Sequence, residues 1–155
     1  MFTGLSAFPL TPVSESEIDE GAFARIVEGL AAAGVDSIGA LGSTGSYAYL
    51  SRDERRRVAA LAVKHAGATP VVVGIGALRT RDVLAHAADA QEAGASGVLL
   101  APVSYQPLTD DEVFGLTSTP RSPNCRTSPR SRSRPSPPTS PRLVCRGSVP
   151  SFRTQ

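Results

Sequence analysis

The chain of 155 residues is long enough for one domain with a sizeable core, and its net charge of +2 averages two opposites. Residues 1–118 hold all 14 acids against eight bases, a net of −6, while residues 119–155 carry eight arginines with no acid and no lysine, a net of +8. No apolar run approaches the ~18 residues of a membrane span, and Met1-Phe2-Thr3-Gly4-Leu5 lacks the basic and apolar regions of a secretory leader, so a soluble, cytoplasmic chain with no membrane partner is expected.

In chain order, Gly4 to Leu10 is short and apolar and is closed by Pro9 and Pro12, as suits a first strand and its exit loop. Asp19 opens a helix with Phe23, Ile26, Val27 and Leu30 at helical spacing, and Gly34 ends it. Val35 to Leu41 reads as a second strand. Ser51-Arg52-Asp53-Glu54 is a capping box, starting a helix that runs to Gly67. Pro70 to Gly74 is a third strand, apolar throughout, as a strand covered on both faces should be. Thr80 is expected to cap the next helix, with Val83, Leu84 and Ala87 as its stripe and Gly94 as its stop. Gly97 to Ala101 is a fourth strand, Pro102 to Leu108 a loop, and Thr109-Asp110-Asp111-Glu112 a second capping box with room for a turn or two of helix.

Four strand–helix units indicate βαβ crossovers and a parallel sheet. The outcomes are an open doubly wound sheet or a barrel, and a complete barrel needs eight units and ~250 residues. The chain holds four, so a barrel would be half present. Residues 119–155, with eight prolines, eight arginines and eight serines, cannot bury enough apolar surface to offset their ordering entropy and are expected to be a disordered tail.

Leu41-Gly42-Ser43-Thr44-Gly45-Ser46 places two hydroxyls and two glycines at the carboxyl end of the second strand, where α/β folds carry their chemistry. Such a loop can hold a phosphate or carboxylate through N–H groups and hydroxyls. It lacks the lysine and spacing of a P-loop. Gly74-Ile75-Gly76-Ala77 lacks the third glycine of a dinucleotide fingerprint and reads as a tight turn. His65 and His86 lie inside helices with no second ligand nearby, Arg55-Arg56-Arg57 reads as a solvated charge run, and Lys64, the sole lysine, sits mid-helix as a surface residue. Cys125 and Cys145 fit no metal or redox spacing. Neither metal nor cofactor is expected. The basic tail could bind RNA through its charge, but with one aromatic and no repeated unit nucleic acid is a disfavoured partner.

Phe2-Thr3-Gly4, Thr11-Pro12, Gly42-Ser43-Thr44-Gly45 followed by Leu50, Glu54-Arg55, Pro70-Val71, Gly74-Ile75-Gly76-Ala77 and Ala101-Pro102 resemble, in order and spacing, the dihydrodipicolinate synthase / N-acetylneuraminate lyase family. The resemblance covers residues 1 to about 116, and the ordered set is more specific than any one motif. It implies the first four βα units of a TIM (β/α)8 barrel in residues 1–118. It also implies a usually homo-oligomeric, pyruvate-dependent lyase that forms a Schiff base between a sixth-strand lysine and a 2-oxo acid. By position, Ser43 is the proton relay and Thr44, with Ser43 and Gly45, the carboxylate-binding group. Ser46-Tyr47 replaces the family's usual glutamate. Ser104 stands where the synthase lends a tyrosine to a neighbouring subunit, and Tyr105 falls one place late; both are secondary candidates.

The resemblance also implies a proton-shuttling tyrosine on the fifth strand; that tyrosine and the sixth-strand lysine would lie beyond residue 118, and no lysine is present there. Ser122 to Pro129, written TCG CCG AAC TGT CGG ACC TCC CCG and read in a shifted phase, gives Ala-Glu-Leu-Ser-Asp-Leu-Pro, so a frameshift is one account of the tail. A 2-oxo-acid aldolase fragment without its Schiff-base lysine, and therefore inactive as it stands, is the expectation. A half-barrel assembly fragment pairing through its sheet edge and a nucleic-acid binder acting through the tail are the alternatives.

Overall fold

The computed structural model describes residues 3–15, 17–104, 106–118 and 143–146. Four short strands, β1 (Ser6–Ala7), β2 (Ser37–Ala40), β3 (Val71–Gly74) and β4 (Gly97–Leu100), pair in parallel in the order β1-β2-β3-β4. Between them run α1 (Glu20–Ala32), α2 (Arg52–His65) and α3 (Thr80–Glu92). The strand order follows the chain without reversal. Right-handed crossovers then leave all helices on one face, so the doubly wound alternative, which needs a reversal of strand order, is ruled out. These are the first four βα units of a TIM barrel.

Local chemistry accounts for the element ends. The Asp19 carboxylate accepts from the Ala22 N–H at 2.8 Å and caps α1, and Gly34 takes the left-handed φ of +75° that a helix stop requires. Ser51 and Glu54 form the expected reciprocal capping box of α2. At α3 the expectation is corrected. Arg79, not Thr80, is the cap residue, its side chain makes no capping bond, and Thr80 is already helical. The second box does form, with the Thr109 N–H donating to Glu112 at 2.8 Å. It starts α4 (Asp110–Ser118), nine residues long and so longer than the turn or two expected.

The core lies between the helices and the sheet. Phe23 and Val27 of α1, Ile38 of β2 and Val58 of α2 are wholly enclosed, and Ala59, Ala62 and Ala66 let α2 approach closely. All four residues of β2 and of β3 are buried. The Ser37 hydroxyl, buried in β2, pairs with that of Ser6 at 2.7 Å. His65 Nδ1 meets Glu28 at 2.7 Å across α1 and α2. Among the described residues no helix is long and apolar enough to cross a membrane, and no group of three acids, histidines or cysteines is placed to hold a metal.

One described piece of the basic stretch departs from expectation. Leu143–Arg146 forms β5, antiparallel to β4, with Val98 opposite Cys145 and Leu99 opposite Val144. Its Leu-Val-Cys run is apolar enough to extend a sheet, and it pairs along the β4 edge where a fifth parallel strand of a barrel would lie. The rest of residues 119–155, Cys125 included, lies outside the described residues.

Candidate active-site loop

The ends of β2, β3 and β4 that carry functional loops in α/β folds converge at one rim. Leu41 leaves β2 buried and at a φ of +56°, and Ser46 reaches +54° five residues later. Left-handed backbone at a non-glycine residue costs roughly 1–2 kcal/mol, so the segment 42–45 is bracketed by two residues that only their surroundings hold in place. Within it the Gly45 N–H donates to the Gly42 carbonyl at 2.9 Å and the Ser46 N–H to the Ser43 carbonyl at 3.1 Å. Gly45 is buried and its N–H closes the turn on the Gly42 carbonyl. Ser43 and Thr44 are exposed, and among the described residues neither their N–H groups nor their hydroxyls make a hydrogen bond. A loop that uses its inner amides to close itself and leaves adjacent hydroxyls and amides outward is a donor surface suited to an anion.

Two glycines allow the loops to meet. A Cβ on Gly74, at the end of β3, would stand 1.9 Å from the Leu41 carbonyl oxygen, so the β2 and β3 exits touch through their backbones. A Cβ on Gly76 would approach the Ala101 carbonyl at 3.2 Å, Val103 at 3.3 Å and the Tyr47 hydroxyl at 3.5 Å. Three loops therefore close around Gly76. On the β1 side, the Phe8 ring lies over Gly39 and Gly42.

Arg55 is the main correction. Expected in a solvated run, it is only 5 % exposed. Its Nη2 donates to the Gly74 carbonyl at 2.9 Å and its Nη1 to the Gly76 carbonyl at 3.1 Å, while the guanidinium lies 5.2 Å from the Tyr47 ring centroid. Burial lowers its pKa, and Tyr47 and Asp89 oppose the shift; an arginine stays charged regardless. Its Nε finds no partner among the described residues. A sequence signal existed: Arg55 shares a helical face with Val58, Ala59 and Ala62, all buried, whereas Arg56 and Arg57 do not. Those two are exposed as expected, near Asp53 and Glu20.

Beside Arg55, Arg52 grips Asp89 of α3 with both Nε and Nη2 at 2.8 Å. Asp89 is buried, and the Arg52 hydrogen bonds hold its carboxyl below the ordinary carboxylate value. His86 is half-buried, and burial and then Arg55 push its pKa down, away from a protonated form. Ser104 is exposed, with its hydroxyl donating to the Gln106 carbonyl. Tyr105 lies outside the described residues. Lys64 is exposed in the last turn of α2 and not at a strand end.

A parallel half-barrel with exposed hydroxyls at the carboxyl end of its second strand defines the class of (β/α)8-barrel proteins, which carry their functional loops at that rim. The chain belongs to the dihydrodipicolinate synthetase family, whose pattern it matches over residues 1–113. It is 36 % identical over 107 residues to the 4-hydroxy-tetrahydrodipicolinate synthase of Salinibacter ruber, a span covering 68 % of this chain and 35 % of that protein. It is similar to the dihydrodipicolinate synthase structure from Agrobacterium tumefaciens C58, with a TM-score of 0.71 and 50 % identity over 74 % of this chain and 39 % of that one. A dihydrodipicolinic acid synthase family protein of E. coli K12, solved in complex with pyruvate, gives a TM-score of 0.70 at 27 % identity, covering 76 % of this chain and 40 % of that one. The chain thus spans about two fifths of the length of the relatives it matches.

Proposed function

We propose that residues 1–118 carry the carboxylate-binding and proton-relay part of a pyruvate-dependent, Schiff-base lyase site. Thr44 and the adjacent amides would hold the carboxylate of a 2-oxo acid, and the Ser43 hydroxyl, a rotatable donor and acceptor, would pass a proton. The observation that carries this reading is the exposed, unengaged pair of hydroxyls at the end of β2 in a chain of this family. Pyruvate bound to the E. coli relative supports the choice of 2-oxo acid.

The covalent step joins a lysine amine to the ketone carbon with loss of water, and it needs a lysine facing the barrel interior from a later strand. The 155 residues hold only Lys64. The proposal is therefore a half-site: binding without covalent capture, in the cytoplasm, with Ser104 and Tyr105 at a loop that homo-oligomers of the family place near a neighbouring subunit. Residues 119–155 read as sequence foreign to the barrel, and the nucleotide sequence around codon 118 read in all frames tests that. Recovery of a tyrosine and a lysine at strand ends in another frame is expected; their absence from every frame removes the frameshift account.

Amide shifts in the 15N-labelled chain titrated with pyruvate test the binding part. Saturable shifts at Ser43, Thr44 and their neighbours are expected. Shifts no larger than those caused by chloride at equal ionic strength would remove the carboxylate assignment.

A further inference from the structure

The loop that carries Ser43 and Thr44 is tied to the rest of the rim by one side chain that neither hydroxyl touches. We infer that Arg55 is a positioning residue for this loop, acting through Tyr47 and through the Gly74 and Gly76 carbonyls to set the β2 and β3 exits relative to each other; the inference deepens the carboxylate-binding reading and rests on it for its ligand.

Four observations converge. The two terminal nitrogens of Arg55 span alternate carbonyls of the β3 exit, at 2.9 and 3.1 Å, so the plane of the guanidinium fixes the course of Gly74-Ile75-Gly76. The same plane faces the Tyr47 ring at 5.2 Å, and Tyr47 follows Gly45 by two residues. The Tyr47 hydroxyl in turn reaches toward Gly76. The circuit closes through the backbone, where Gly74 abuts the Leu41 carbonyl.

Leu41 and Ser46, which bracket the loop, both hold left-handed φ values that persist only when neighbours over-determine them. Arg55 supplies that constraint from outside the strand ends. Lysine would not substitute, because a point charge cannot span two carbonyls and stack on a ring at once.

The test uses the full 15N-labelled chain with pyruvate as probe, as wild type and as Arg55→Lys, Arg55→Ala and Tyr47→Phe. Arg55→Lys is expected to weaken pyruvate binding about tenfold or more, the size typical of lost outer support to a site. It should also move the amides of 41–46 and 74–76 without ligand, while those of Phe23 and Ile38 stay in place. Tyr47→Phe keeps the ring under the guanidinium but loses the hydroxyl beside Gly76, so its loss of pyruvate affinity should be smaller than that of Arg55→Lys. Free guanidinium below denaturing concentrations should restore pyruvate binding to Arg55→Ala, and methylammonium should not; a residue that merely filled space would show no such selectivity.

Unchanged affinity in Arg55→Lys, or loop amides at wild-type positions, would overturn the inference. If Arg55→Ala does not fold, Arg55→Lys decides alone. If the wild type itself ignores pyruvate, the carboxylate reading falls, and the movement or stillness of the two loops still decides the role of Arg55.

Discussion

Glycines 39 and 74 both stand where a side chain has no room, yet they differ in what would have to give. A Cβ on Gly74 meets the Leu41 carbonyl at 1.9 Å, which is backbone, and the two strand exits would have to part. A Cβ on Gly39 meets the Phe8 ring at 2.2 Å, and that ring is 37 % exposed and free to swing outward. Gly74→Ala is therefore expected to cost about 3 kcal/mol and Gly39→Ala about 1 kcal/mol, at opposite ends of the range for overpacking. Urea midpoints of the two variants would decide, and equal losses would show that the β2–β3 contact yields as readily as the ring. Arg55 poses the reverse problem. Removing it leaves the Gly74 and Gly76 carbonyls without their buried donors, so Arg55→Met should lower stability by about 2–3 kcal/mol, as for hydrogen bonds to a charged group. A loss under 0.5 kcal/mol in the same titration would mean that water replaces the fork.

At the scale of elements, α2 is joined to α3 by Arg52 and Asp89, a bidentate pair with a buried acceptor and an exposed donor. The Asp89 carboxyl lies below its ordinary 3.8, chiefly because Arg52 hydrogen-bonds it. A carboxylate whose folded-state pKa is depressed stabilises the fold above the unfolded value, and that contribution fades as pH falls from 3.8 through the lower folded value. Asp89→Asn should accordingly be less stable than wild type by about 1–2 kcal/mol at neutral pH, and the gap should close in acid. Denaturation of both proteins at pH 7 and well below pH 4 measures it, and a gap that persists undiminished in acid would assign the loss to packing instead. The elements themselves were readable because their signals are local: the Asp19 and Ser51 caps, the positive-φ glycines that end α1, α2 and α3, and the all-apolar β3 need no distant partner. Arg55 was misread because a run of three arginines hides which one lies on the buried face, and Thr80 because a cap depends on backbone geometry one residue away.

For the whole molecule the decisive relation is between the rim and what a complete barrel adds to it. Four parallel strands bring the loops of β2, β3 and β4 to one rim and leave β1 at an open edge, while β5 lies against β4. A Schiff base requires an amine that is unprotonated when it attacks and placed about 3 Å from the ketone carbon. Lys64 fails the second condition. It is exposed in the last turn of α2, the helix that runs back from the rim, so its amine lies at the far end of the sheet from the loop. Borohydride reduction with labelled pyruvate is therefore expected to leave the chain unlabelled, even at concentrations that shift the Ser43 and Thr44 amides. Label recovered on Lys64 by peptide mapping would mean that the half-barrel opens or pairs so as to bring that amine to the rim, and the assignment of a binding half without covalent chemistry would be wrong.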